Sequence, residues 1–289
     1  MLTIDLHTHT TASDGTLTPT ELVIAAAEEG LTVIGITDHD TLDGLDEAME
    51  AARQLNIEVV PGIELSIDYP KGRFHMLGYL LDIHSKSLID RLRLLKNNRA
   101  LRNLRMVEKM QQMGISITMQ DVEKSSGHGQ IGRPHMALAL LKKGVVSSVQ
   151  EAFNMYLAEG GLAYVPKDKI TLEEGIQLIH SARGLAVLAH PSTLKMEGQE
   201  LLDALVSFRN AGLDGMECYY SQYKPEMIDE YLSMACDAGL LVTGGSDFHG
   251  STKPGVILGH IIRSSPAPSA LLCALKQRRQ ELFSSAFQD

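Results

Sequence analysis

The sequence predicts an α/β fold in which one (β/α) barrel is interrupted by an all-helical insertion after its fourth strand. Three observations predict it. Short apolar runs alternate with helical patterns up to Asp82, only helical patterns follow as far as about residue 160, and the strand and helix alternation resumes from Thr171. At about 150 residues per domain, 289 residues allow one large domain or two ordinary ones. A doubly wound sheet would more often carry a Gly-rich phosphate loop after its first strand, and none is present. The barrel is therefore assigned to residues 1–82 and 161–289, and the insertion to 83–160.

Taken in order, Thr3–His7 reads as the first strand. The next helix, Thr18–Gly30, is well signalled, because Thr18 can cap, Pro19 takes the first helical position, Glu21 completes a capping box and Gly30 can end it. Strand Thr32–Asp38, helix Asp43–Leu55, strand Ile57–Ile67 and strand Arg73–Asp82 follow. The insertion holds helical patterns at Lys86–Met113, Met119–Lys124, Pro134–Lys143 and Ser148–Leu157, punctuated by Gly127-His128-Gly129-Gln130 and Gly160-Gly161. In the first of these, Leu92, Leu95, Leu101, Leu104, Val107 and Met110 recur at helical spacing and predict a core-facing side. Arg99, Arg102, Arg105 and Lys109 then form a solvated stripe. After a helix capped by Thr171 and Glu174 come strands Leu185–His190, Leu213–Tyr220 and Leu240–Ser246, helices Gly198–Ala211 and Pro225–Ala238, and a closing helix at Ser269–Phe283.

With 44% hydrophobic and 21% charged residues the chain has the composition of a soluble globular protein. It has no apolar run long enough for a membrane span and no signal-peptide pattern, so a cytoplasmic location without a membrane partner is expected. Cys218, Cys236 and Cys273 lack zinc or redox spacing and read as buried thiols. The net charge of −10 argues against a DNA-duplex footprint. Lys86 to Lys109 departs from this with a local charge of +6, yet no aromatic residue is interleaved there for base stacking.

The chemistry gathers where strands end. The first strand runs into His7-Thr8-His9, the second into Asp38-His39 and the third into Glu64; the fourth carries His75, the fifth ends in His190-Pro191, and the last runs into Asp247-Phe248-His249. In a (β/α) barrel the C-terminal strand ends share one face, so these residues can meet. Every one is a metal-ligand type. His7 and His9, two apart on a strand, point to the same side and can share an ion at about 2.0 to 2.1 Å. A lone strand-end histidine is more often hydrogen-bonded structure than ligand. Here six of 11 histidines fall at strand ends, which scatter does not explain.

His7-Thr8-His9 with Asp14, Thr37-Asp38-His39, Glu64-Leu65-Ser66, His190-Pro191 and Ser246-Asp247-Phe248-His249 resemble the motifs of the PHP (polymerase and histidinol phosphatase) superfamily. Ile131-Gly132-Arg133-Pro134-His135 in the insertion is similar to the branch acting on 3′,5′-nucleotide bisphosphates and RNA 5′ ends. The resemblance implies a distorted (β/α)7 barrel that hydrolyses phosphoesters with two or three divalent ions. One ion would be held by His7, His9, Glu64 and Asp247, a second by Asp14, His39 and His249, and a third by Glu64, His75 and His190, with Glu64 bridging. Histidine and carboxylate without thiolate suits Mn²⁺, Fe²⁺ or Zn²⁺, and Mn²⁺ is the expected ion. Such ions would neutralise the ester and lower the pKa of a bridging water towards about 7.

Around this shell, Asp247 is expected to shuttle a proton and Asp38 to sit behind His39 and orient its ring. Arg133 can clamp a phosphate bidentately, His135 can add a donor or protonate a leaving oxygen, and Lys167 is a weaker candidate cation. Against these stand plainer readings: an arginine that merely precedes a helix-starting proline, and an exposed lysine. The expected activity is that of a phosphatase on small nucleotides such as 3′,5′-bisphosphates (pAp to AMP), with short RNA cut from its 5′ end as a further substrate. The alternatives are a phosphatase for a metabolite such as histidinol phosphate and a non-catalytic metal-binding module. The latter should have lost ligands, whereas all nine positions carry a competent donor.

Overall fold

The computed structural model describes residues 3–125, 131–261 and 268–284; the Gly127 to Gln130 punctuation lies outside them. Seven strands, β1 (Ile4–Thr8), β2 (Val33–Ile36), β3 (Glu58–Ile67), β4 (Phe74–Tyr79), β5 (Leu185–Leu188), β6 (Gly215–Tyr220) and β7 (Leu241–Gly245), pair in sequence order. All pairs are parallel except β3 with β4 and β4 with β5, because β4 runs against the rest. Residues 68–73 are too few for a crossover helix, so β3 can only turn back on itself. His75 consequently sits at the start of β4, opposite Ser66, at the end of the barrel where the parallel strands finish.

The sheet nearly closes on itself. His7 O accepts from Asp247 N at 2.8 Å, and Phe248 O accepts from His9 N at 2.9 Å. Gly245 permits this approach, since a Cβ there would stand 2.2 Å from His7 Cβ and 2.5 Å from His7 N. Ile4, Leu6, Val33, Val60, Leu77, Tyr79, Leu185 and Val187 fill one buried cluster, and charged side chains inside it would need partners.

The helices are α1 (Pro19–Glu28), α2 (Leu45–Leu55), α3 (Lys86–Gln112), α4 (Met119–Glu123), α5 (Arg133–Lys142), α6 (Val149–Ala152), α7 (Leu172–Ser181), α8 (Gly198–Asn210), α9 (Pro225–Ala238) and α10 (Ala270–Ser284). The capping box of α1 forms, with Glu21 N donating to Thr18 Oγ1 and Thr18 N to Glu21 Oε2. No helix among the described residues is long and apolar enough to cross a membrane. Cys218 is buried, but Cys236 and Cys273 are exposed on α9 and α10, contrary to the expectation of three buried thiols.

The chain divides into two compact units, residues 1–90 with 170–289, and residues 91–169. The described residues of the second hold helices and no strand, and it has its own core of Met106, Val107, Met110, Val122, Met136, Leu140 and Leu157. Its long helix α3 buries Leu92, Val107 and Met110 as expected, but its middle turn departs from that side: Leu101 and Leu104 are 51% and 45% exposed, while Arg102 and Asn103 are buried. Backbone carbonyls make this possible. Arg102 Nε donates to Val165 O at 2.7 Å, and Asn103 Nδ2 to Ile131 O at 3.0 Å, so each buried side chain has a carbonyl for a donor, although Asn103 Oδ1 has no hydrogen-bond partner. Arg102 therefore leaves the solvated stripe.

Candidate metal centre

Loops and strand ends at one end of the barrel bring nine ligand-type side chains together. His7 Nε2 and His9 Nε2 are 3.1 Å apart. Glu64 Oε2 lies 3.4 and 3.1 Å from them, and Asp247 Oδ1 3.6 and 3.4 Å. Four donors around one ion with bonds of about 2.0 to 2.2 Å stand about 3.3 to 3.6 Å apart at tetrahedral angles. Three of these five separations match that spacing, and the other two, both 3.1 Å, are slightly shorter. The other oxygen of Glu64, Oε1, is 2.9 Å from His75 Nδ1 and 3.0 Å from His190 Nε2. Asp14 Oδ1 lies 3.3 Å from His249 Nε2, and its Oδ2 3.9 Å from His39 Nε2.

The donors able to hold an ion fall into four overlapping sets: His9, Asp14, His39 and His249; His7, Glu64 and His190; His7, His9 and Asp247; and His39, Glu64 and His75. The grouping differs in part from the implied one. His9 joins the Asp14 set, Glu64 is absent from the set of His7, His9 and Asp247, and His75 and His190 fall into separate sets although both reach the same oxygen of Glu64.

Neighbouring groups hold these side chains in place. Glu217 on β6, which the sequence reading missed, is fully buried; its Oε1 lies 2.9 Å from His7 Nδ1, and its Oε2 accepts from His190 N at 2.8 Å. The available signal was its position as the one ionisable carboxylate within an otherwise uncharged buried strand. His249 Nδ1 donates to Asp247 O at 2.9 Å, and Thr193 Oγ1 lies 3.2 Å from His190 Nδ1. Asp247 Oδ2 accepts from Tyr220 Oη at 2.8 Å and pairs with Lys253, two partners also missed. Asp247 (φ +58°) and His190 (φ +25°) adopt left-handed backbone, conformations of the kind that cost about 1 to 3 kcal/mol and cluster at functional sites.

Asp38 does not orient His39. Its carboxylate accepts from Thr10 N, Thr10 Oγ1 and Ser13 Oγ at 2.8, 2.7 and 2.5 Å, and so fixes the loop that presents Asp14. Arg133, His135 and Lys167 belong to the helical unit. Arg133 Nη1 donates to Leu157 O at 3.3 Å with its guanidinium over the Phe153 ring, and His135 Nδ1 accepts from Gly132 N at 3.1 Å at the start of α5.

Charge within the centre is strongly biased. Burial would lower the His7 and His9 pKa values, but Glu217, Asp247 and Glu64 outweigh it for His7, which lies well above the usual range. Asp247 and Glu64 likewise bring His9 up to about 9. Burial pushes His39 down to about 4. Burial would raise Glu64, but the imidazoles of His39, His75 and His7 hold it well below the ordinary carboxylate range. Burial is similarly outweighed by His249 at Asp14 and by His7 and His9 at Asp247, so both are held low. His9 Nδ1, His39 Nδ1 and Glu64 Oε2 are buried with no hydrogen-bond partner, an arrangement that is costly unless a cation takes the lone pairs. The residues present therefore fit divalent ions.

The PHP domain pattern matches residues 5–262 of the chain. A 5′-3′ exoribonuclease of Haemophilus influenzae is 37% identical over 252 residues, covering 85% of this chain and 89% of the relative. A 3′,5′-nucleoside bisphosphate phosphatase of Chromobacterium violaceum is 32% identical over 262 residues, covering 90% and 92%. A solved structure from Bifidobacterium adolescentis, provisionally described as a metal-dependent phosphoesterase, superposes with a TM-score of 0.74 at 33% identity over 95% of this chain and 96% of that one.

Proposed function

The chain belongs to the PHP domain family, and from that membership we propose a metal-dependent phosphoesterase acting on 3′,5′-nucleoside bisphosphates, with short RNA attacked from its 5′ end as a further substrate. The observation that carries the reading is Glu64, whose Oε2 stands among His7, His9 and His39 while its Oε1 meets His75 and His190. Such a carboxylate can join two ion sites. Two or three divalent cations held by His7, His9, Asp14, His39, Glu64, His75, His190, Asp247 and His249, Mn²⁺ foremost with Fe²⁺ and Zn²⁺ as alternatives, supply charge neutralisation at phosphorus and an acidified water.

The chain's own groups do the remaining work. Glu217 and Thr193 engage one nitrogen of His7 and of His190, so that each ring turns its Nε2 to Glu64. Asp247, expected from the sequence to shuttle a proton, has Oδ2 taken by Tyr220 and Lys253 and Oδ1 turned to His7 and His9, so it is proposed here as a ligand that would hold an ion and not as a proton acceptor. The helical unit is assigned substrate recognition, with Arg133 on the phosphate that is not cleaved and His135 and Lys167 as further contacts. The relatives named for RNA and for nucleoside bisphosphates support a nucleotide over histidinol phosphate.

The test is a phosphate-release screen with Mn²⁺ on nucleoside 3′,5′-bisphosphates, nucleoside monophosphates, 5′-phosphorylated short RNAs and histidinol phosphate. Release is expected to be fastest from the bisphosphates and abolished by chelation. No release from any substrate overturns the enzyme reading, and fastest release from histidinol phosphate overturns the nucleotide assignment.

A further inference from the structure

The loop after β7 carries a cation that the assignments above leave without a role. Lys253 Nζ pairs with Asp247 Oδ2 and also donates to Tyr220 Oη at 3.3 Å, lying 5.8 Å from the centre of that ring. Tyr220 Oη donates to the same Asp247 oxygen at 2.8 Å, which closes a three-membered network. Tyr220 is buried and its ring stands 5.7 Å from that of His190, so it cannot swing away freely. The Lys253 side chain is 31% exposed.

We infer that Lys253, acting with Tyr220, is a positioning residue that reserves one oxygen of Asp247 and leaves the other for the ion beside His7 and His9. A carboxylate offers two oxygens to a cation and can bind through one or both. Here Oδ2 is occupied by two donors, one of them charged, while Oδ1 alone lies 3.6 and 3.4 Å from His7 Nε2 and His9 Nε2. The backbone of Asp247 is fixed in the left-handed region and its carbonyl is bonded to His249 Nδ1, so the side chain has little other freedom. Removing the Lys253 charge frees Oδ2 to turn inward and compete with Glu64 for the same ion.

The inference rests on the metal-binding reading, and the experiment separates the two. Mn²⁺ affinity of the full chain is measured by competition with a chelating dye for the parent, Lys253→Met, Lys253→Arg and Tyr220→Phe, with thermal unfolding of each metal-free protein as the control for folding. Partners behind metal ligands typically set affinity by ten- to a hundredfold, and Lys253→Met should weaken the affected site by about that much. Tyr220→Phe, which leaves the ammonium in place, should cost less. Lys253→Arg should recover most of the affinity, a result that a space-filling role alone would not give. Co²⁺-loaded Lys253→Met should also show a ligand-field spectrum altered from that of the parent, because the coordination of Asp247 changes. Affinity in Lys253→Met within about twofold of the parent, or an equal loss in Lys253→Met and Lys253→Arg, overturns the positioning role while leaving the metal centre standing. A parent protein that binds no divalent ion overturns both.

Discussion

Glu64 has two oxygens facing two different groups of imidazoles, whereas Asp14 contributes at one edge of the cluster and is 56% exposed. Glu64→Ala is therefore expected to lower the metal content of the purified protein by more than Asp14→Ala, as read by elemental analysis; equal losses would remove the bridging assignment. A second consequence concerns protons. His9 titrates near 9 in the folded metal-free chain against 6.5 when unperturbed, and His7 shifts in the same direction. A raised folded pKa contributes stability that is fully present below about 6.5 and is lost as pH climbs through about 9. The thermal midpoint of the metal-free protein should fall over that interval. Affinity for Mn²⁺ should rise over the same interval, because the ion needs neutral imidazole and displaces those protons. A metal-free midpoint that climbs from pH 6.5 to 9 would contradict the assignment.

Between elements, the contact of β7 with β1 is the most sensitive, since it sets where His7 lies. Gly245→Ala drives a methyl into His7 Cβ and N. Overpacking of this kind typically costs about 1 to 3 kcal/mol. The expected outcome is a lower unfolding midpoint together with lost metal, where a remote destabilising substitution would give only the first. At the start of α5, Arg133→Ala should leave metal content intact and lower kcat/KM about ten- to a hundredfold, from the roughly 1.5 to 3 kcal/mol of a charge-assisted contact. The loss should be larger with a bisphosphate than with a monophosphate, and equal losses with both would remove the clamp. The strand-end donors were legible because period-2 spacing and the barrel's geometry fix their side and their end. Glu217 and Tyr220 were not, since each touches a ligand remote in sequence, and Lys253 was not because its reach back to Asp247 depends on the irregular loop after β7, a pairing that no local pattern encodes. The reversal of β4 was implicit in a connection too short to cross over. The middle turn of α3 was hidden because Arg102 and Asn103 are buried against carbonyls of other segments, which leaves Leu101 and Leu104 exposed where apolar spacing would bury them.

For the molecule as a whole, the division into two units makes a separable test. The helical unit carries its own apolar core, and its first and last turns of chain are held together, with Arg91 Nη1 3.1 Å from Asp168 Oδ2 and Asn98 Nδ2 2.7 Å from the same oxygen. Replacing residues 92–167 with a four-residue linker, about 13 Å when extended, should leave a chain that folds and still takes up metal but no longer prefers bisphosphates to monophosphates. Loss of metal uptake in that variant would show that the insertion builds the centre and does not only select for it. The clasp between Arg91 and Asp168 has another consequence, for descent. Because the excursion starts and finishes at one place, the entropy of closing it grows only with the logarithm of its length. Lineages sharing this barrel are thus free to trim, extend or exchange the whole excursion at small thermodynamic penalty, so new substrate preferences can arise by grafting at that junction while the ion-binding end is inherited unchanged.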